Sequence, residues 1–243
     1  LIGWFYRLHP LAHGDDQRSF MTLGLVCVWS ARLTHSYFRR ERWQFGWRED
    51  WRFTDMKTKS PRSWWLLSFF AAFLSQQPML IGLTLPLWAV HFGPACTVEW
   101  SEVDMLANFL CITGIVVAFI ADTELREFME GNEALQRRGL KKMLLLDDGL
   151  WGRCRHPNYF GEQLWWWSMG LFGCVCGAPL TLLGTAFNSA IMAHVTMLTE
   201  SRMLNTGGKA RRKAYADYCE RVPVLFPVQL PDLPSVAELT GQE

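Results

Sequence analysis

Residues 149 to 170 read GLWGRCRHPNYFGEQLWWWSMG, setting Arg155, His156, Asn158, Tyr159 and Glu162 against a run with Leu164, Trp165, Trp166, Trp167 and Met169. Polar side chains so close to so apolar a run are the material of a binding site in or beside a membrane. Pro157 has a fixed φ and no N–H, which suits the first turn of a helix and places Asn158 just inside it. Such a start offers free N–H groups and a partial positive charge, a seat for phosphate or carboxylate. Arg155 adds a planar fork of donors. Tyr159 and Glu162, one turn apart, point into the same space, and Asn158 both gives and takes hydrogen bonds, as an adenine, a ribose or an amide requires. On residue types alone, a plain helix start with interfacial Arg, His and Tyr anchors is the alternative reading.

Other polar residues sit in apolar surroundings: Arg32 and His35, Gln76 and Gln77 before Pro78, Asp122 with Glu124 and Arg126, and His194 with Glu200. An ionisable group inside a span costs ~2.5 to 3.5 kcal/mol on insertion scales, so it is paired, faces a cavity or has a function. The plain reading pairs Asp122 with Arg126, four residues on, and bonds the glutamines to a neighbouring helix. As a set, the charged residues fall at the helix ends nearest the basic segments and could open onto one cavity there.

The elements that must position these groups are apolar runs. A weak one covers 21–38, interrupted by Arg32 and His35. A strong one covers 64–92, kinked at Pro78 and Pro86, a third covers 103–121, and a double one covers 160–198, folded back at Cys176, Gly177, Ala178 and Pro179. The run 64–92 is longer than the roughly 20 residues a bilayer core requires, and the runs together predict five helices. Of the 24 Lys and Arg, 21 lie in 39–62, 126–155 and 202–221, whereas 93–102 and 177–179 carry none. Five alternating helices put the three basic segments on one face, the cytoplasmic-type side, and the N-terminus on the other. The fold class expected is all-α, a polytopic integral membrane helical bundle.

Half of the 243 residues are hydrophobic and the net charge is +1, which gives no pull on nucleic acid or an acidic partner. The seven cysteines are scattered, odd in number and without a CxxC pair, so they read as buried free thiols, with neither a disulfide framework nor a metal site. No secretory signal, transit sequence, internal repeat or low-complexity tract is evident. The first residue is Leu1 rather than Met, which points to an N-terminal part processed, cut away or not included. The organisation expected is an N-terminal segment 1–20, a membrane domain 21–228 and a C-terminal tail 229–243.

The segment RHPNYFGE, with Gly149-Leu150-Trp151 before it and an aromatic-rich span after it, resembles the signature of the membrane reductase superfamily that contains steroid 5α-reductases and sterol C14 reductases. The chain is most similar to that superfamily's members of unassigned substrate. Further pieces fall in the same order: Trp29-Ser30-Ala31-Arg32-Leu33, Glu49-Asp50-Trp51-Arg52-Phe53, Gln76 ten residues before Pro86, Ala121-Asp122, and Glu200 with Tyr215, Tyr218 and Pro227. The resemblance covers about residues 20 to 228 and implies a helical core shared with isoprenylcysteine methyltransferases. Those carry a shorter RHPxYxG and paired glutamates near the last helix, where this chain has the single Glu200 in Thr199-Glu200-Ser201.

What the resemblance implies is an NADPH-dependent oxidoreductase acting on CH–CH groups, reducing an activated carbon–carbon double bond of a lipid or sterol-like substrate that enters from the bilayer. The cofactor-side residues carried over are Arg32, Arg52, Asp122, Arg126, Arg155, His156, Asn158, Tyr159 and Glu162, with Tyr218 and Arg221 closing the pocket. Catalytic candidates are Gln76, Tyr37 and Glu162. Membrane lipids are the expected surroundings, in the endoplasmic reticulum or another organelle, with the basic loops on the cytoplasmic, matrix or stromal side. Steroid reductases carry a polar residue one turn before the acid matching Asp122, where this chain has Ala118. Two other classes stay open: a non-catalytic, reductase-derived subunit or lipid-binding scaffold of a larger membrane complex, and an S-adenosylmethionine-dependent lipid or isoprenylcysteine methyltransferase.

Overall fold

A computed structural model describes residues 1–44, 51–74 and 76–226, and every regular element among them is helical. Glu49, Asp50, Pro227 and the tail 229–243 lie outside the described residues. In chain order the elements are α1 (Ile2–Leu8), α2 (Asp16–Arg40), α3 (Trp51–Lys59), α4 (Trp64–Ser68), a π-helical stretch (Phe69–Leu74), α5 (Gln76–Phe92), α6 (Glu102–Arg137), α7 (Pro157–Val175), a 3-10 turn (Pro179–Thr181), α8 (Leu182–Asn205) and α9 (Lys209–Arg221).

Local chemistry sets the starts. Asp15 caps α2 by accepting the Arg18 N–H at 2.8 Å. Ser101 and Asp104 form a reciprocal capping box at α6. Pro157 opens α7 as its first residue, as the sequence suggests. Gly177, at φ +76°, makes the left-handed step of the turn between α7 and α8.

The run 64–92, where one kinked span is expected, is helical over 64–74 and 76–92, and residue 75 lies outside the described residues. Pro78 is the third residue of α5 as described, Gln76–Phe92. Pro86 lies buried inside α5 without ending it. At 17 residues α5 is short of the roughly 20 that a bilayer core requires. Among the described residues two helices are long and apolar enough to cross a membrane, Glu102–Arg137 and Pro179–Asn205. The first runs well past the expected 103–121: its second half, from Asp122 on, is polar and carries the chain away from the apolar part. Residues 1–20 are not separate from the rest. Tyr6 packs edge-on against Phe92, and α2 already begins at Asp16.

Close approaches hold the site-bearing helices. α6 and α7 cross at Gly114 and Gly161, where a Cβ on either would come within 2.6 Å of the other's carbonyl oxygen. Ala118 belongs to the same contact, 2.9 Å from a Cβ built on Gly161, so a larger polar residue could not stand there. Small residues at a helix crossing let backbones meet, as they do between membrane helices. At one end of the bundle Arg18 forks onto Asp104 at 2.7 and 2.9 Å and onto the carbonyls of Cys96, Val98 and Glu99, with both charged side chains fully buried. At the other end the basic segments meet: Arg42 pairs with Glu133 at 2.7 Å, and the Arg202 guanidinium lies 4.3 Å over the Trp51 ring.

Gly161→Ala forces α6 and α7 apart and is expected to cost about 1 to 3 kcal/mol in thermal unfolding of the solubilised protein. Gly24 has nothing within 4 Å of its Cβ position, so Gly24→Ala should leave the melting temperature unchanged or raise it.

Candidate functional site

The inward face of α2 presents Arg18, Thr22, Leu25, Trp29 and Arg32 at helical spacing, and Arg32 meets two carboxylates from different helices. Its Nη1–H donates to Asp122 Oδ2 on α6 at 3.1 Å, and its Nη2 is ion-paired with Glu162 Oε1 on α7. Asn158 donates from Nδ2 to Asp122 Oδ1 at 3.3 Å, and the Trp29 indole N–H donates to Glu162 Oε2 at 3.1 Å. Trp29 in turn stacks on the buried Trp165 at 5.7 Å with an interplanar angle of 1°. The tryptophan run therefore has an inner member that braces the ion cluster and, in Trp167, an outer member 43% exposed.

This cluster forms the floor of a cavity of about 690 Å³ between α2, α6, α7 and α8. Of the residues singled out in the sequence, Arg32, Tyr37, Asp122, Arg126, Asn158, Tyr159 and Glu162 line it. Arg39 and Arg40 line it too, although the sequence marks them only as part of a basic segment; Arg39 stands two turns from Arg32 on the same face of α2. Arg39 also donates to Thr123 Oγ1 at 3.3 Å. Asp122 and Arg126 are not partners: Asp122 faces Arg32 while Arg126 pairs with Glu130. Helical spacing allowed the first pair, but burial of Arg32 claimed the carboxylate.

The start of α7 is not the open anion seat that its sequence suggests. Asn158 Oδ1 accepts the Tyr159 N–H at 3.0 Å, and His156 O accepts the Phe160 N–H. Arg155 lies against Glu200 at 3.0 Å and donates to the Cys219 carbonyl at 3.1 Å. His156 Nε2 shares the same Glu200 oxygen at 3.0 Å, and its ring stacks on Tyr159. Tyr218 donates its hydroxyl to the Trp151 carbonyl at 2.6 Å, and Arg221 pairs with Asp147 at 3.2 Å. Burial pushes the Tyr215 and Tyr218 phenols and the Cys154 thiol above their ordinary values, so all three stay neutral. This second cluster ties α9 and the 138–156 loop to α7 and α8, away from the cavity wall.

Arg52 lies on α3 and is not part of the cavity lining. Gln76, exposed at the start of α5, also lies off the cavity. Among the described residues no three His, Cys, Asp or Glu side chains come together as a metal site would require.

Arg32 is 8% exposed and is the cation that compensates two carboxylates. Arg32→Met should therefore cost about 3 to 5 kcal/mol, the usual penalty for stranding buried charge. Adding Glu162→Gln to Arg32→Met should recover part of that loss in a double-mutant cycle read by thermal unfolding.

A family described as "Protein of unknown function (DUF1295)" matches residues 1–222. The chain is also similar to an uncharacterized protein, C594.04c, of Schizosaccharomyces pombe, at 26% identity over 243 residues, covering 91% of this chain and 68% of the yeast protein. No solved structure matches. Because the family match runs through every described helix from α1 to α9, the chain belongs to the DUF1295 family.

Proposed function

We propose that the protein is an NADPH-dependent membrane reductase of an activated carbon–carbon double bond in a lipid or sterol-like molecule. The observation that carries this reading is one cavity in which carboxylates and an amide on the floor give way to arginines above them. Its volume, about 690 Å³, lies in the range of ligand pockets. The donor set also suits the cofactor. Arg32 is matched against both Asp122 and Glu162, so the floor carries one net negative charge and repels phosphate while suiting hydroxyls and a carboxamide. The other arginines that line the cavity are Arg39, Arg40 and Arg126, the last two paired with Glu41 and with the half-exposed Glu130, from which a phosphate would have to draw them; the first two stand about 10 to 12 Å above Arg32 along α2.

A bound reduced nicotinamide supplies the hydride. The chain's own part is to orient it through Asp122, Asn158 and Glu162, to shut out water behind Trp29 and Trp165, and to place a proton donor at the substrate's carbonyl oxygen as enolate charge develops. Of the three catalytic candidates, Tyr37 and Glu162 line the cavity and Gln76 does not. Tyr37 is the choice for the donor, since the Tyr159 ring is held against His156. Arg155, His156, Tyr218 and Arg221 then act as a brace for the floor rather than as cofactor ligands.

The membrane reading rests on composition and packing together. Large apolar residues such as Phe109, Ile112, Val116 and Phe119 are exposed along α6, whereas Arg18, Arg32, Asp104 and His91 are buried. We place α2, α5 with the stretch before it, α6, α7 and α8 as five crossings. The basic end then faces the cytoplasm, matrix or stroma of an organelle membrane, the endoplasmic reticulum being the first candidate.

Thermal unfolding of the solubilised protein tests this. NADPH at a hundred times its dissociation constant should stabilise by about 2.7 kcal/mol. NADH should do less, and S-adenosylmethionine nothing. Arg39→Ala with Arg126→Ala should erase the NADPH effect, whereas Arg155→Ala should lower stability and keep it. Stabilisation by S-adenosylmethionine alone would move the assignment to a methyltransferase, and no response to either would leave a non-catalytic membrane subunit.

A further inference from the structure

The polar half of α6 leads into a segment that is largely bare. Residues 140–147 belong to no helix, turn or strand. One side chain anchors them: Asn132 on α6 accepts the Met143 N–H at 2.7 Å and donates to the Met143 carbonyl at 3.2 Å. The backbone groups of Lys141, Lys142 and Leu144 make no hydrogen bond among the described residues. Leu140, Met143 and Leu144 are 56%, 48% and 49% exposed. Arg137, Arg138, Lys141 and Lys142, exposed among and beside them, make no ion pair among the described residues, and Glu130, Glu133 and Asp147 are engaged by other arginines. Membrane topology accounts for the cations on this side, but not for three large apolar side chains exposed among them. On the membrane reading, lipid does not reach that far. From Asp122 to Arg137 α6 runs fifteen residues, about 22 Å, beyond its apolar part. Even at a tilt of 40° the segment stands about 17 Å out, past a headgroup layer of about 5 to 8 Å.

The sequence supplies a complement. Past the described residues the chain carries Asp232, Glu238 and Glu243 and no Lys or Arg. Leu230, Leu233, Val236 and Leu239 are spaced three apart, and so are Asp232, Ser235 and Glu238. Polyproline II has three residues per turn, so in that conformation, which suits Pro231 and Pro234, the apolar residues share one edge and the acids another. The reach is sufficient. Val222 lies in the cluster against which Leu145 packs. Four residues lead from Val222 to Phe226 and four from Leu145 back to Lys141, so Phe226 and Lys141 are at most about 35 Å apart, whereas the twelve residues from Phe226 to Glu238 span up to about 40 Å.

We propose that the C-terminal residues 229–243 dock on the 137–144 segment of their own chain, the apolar edge against Leu140, Met143 and Leu144 and the acids among the four cations. No residue of 137–144 lines the nucleotide cavity, so the contact stands whether or not a nucleotide binds.

The test places the photo-crosslinker p-benzoylphenylalanine at Leu144 of the full chain in nanodiscs and maps the products by mass spectrometry. The expected product joins position 144 to a residue within 229–243 of the same chain, at a yield independent of protein concentration. Lys141→Ala with Lys142→Ala should lower that yield about fivefold, the worth of two exposed ion pairs, and molar salt should lower it as well. The same probe at Leu180, 75% exposed at the opposite end of the bundle, should capture nothing from 229–243. If the Leu144 variant does not fold, Leu140 carries the probe. Products with lipid or with a second copy of the chain, no product within 229–243, equal capture from Leu180, or a yield indifferent to the two lysines overturns the proposal.

Discussion

The structure depends on a buried arginine that answers two carboxylates at once. Arg32 on α2 cannot lie at that depth uncompensated, and neither Asp122 on α6 nor Glu162 on α7 could be approached so closely by the other without a cation between them. The cluster therefore fixes three helices against one another, and it fixes the sign of the cavity floor. A floor with one negative charge in excess selects hydrogen-bond donors and turns away anions, which pushes any phosphate up to Arg39, Arg40 and Arg126. The polarity of the cavity follows from that single charge balance.

Arg32 has a counterpart at the far end of the same helix. Arg18, fourteen residues earlier and so on nearly the same face, is buried against Asp104 at the start of α6. α2 is thus pinned to α6 at two points about 21 Å apart along its axis. Between these pins the contact is apolar, with Leu25 and Trp29 against the core. The α6–α7 pair is held differently, by the Gly114 and Gly161 crossing, which brings Glu162 within reach of Arg32. A two-point electrostatic pin and a small-residue crossing together make a rigid floor, and rigid placement of polar groups is what a binding site requires.

Much of this was legible in the residues. Pro157 marks the start of α7, Cys176–Pro179 marks the turn between α7 and α8, and the polar residues within apolar runs include both partners of Arg32. What the residues could not convey is which polar group finds which. Asp122 and Arg126 have helical spacing, yet the stronger demand came from Arg32, 90 residues away in sequence. Arg155 has the chemistry of a phosphate ligand, but Glu200, brought in from α8, occupies it. Gln76 has the chemistry of a membrane-depth donor, but it is exposed and lies off the cavity. Each of these is decided by tertiary contacts that no local spacing encodes.

The most direct measurement is an experimental structure of the protein equilibrated with NADPH. The account predicts nucleotide density in the α2–α6–α7 cavity, with the nicotinamide against Asn158 and Glu162 and the phosphates among Arg39, Arg40 and Arg126. Nucleotide bound instead at Arg155 and the start of α7, or a cavity that stays free of it at saturating concentration, would contradict it.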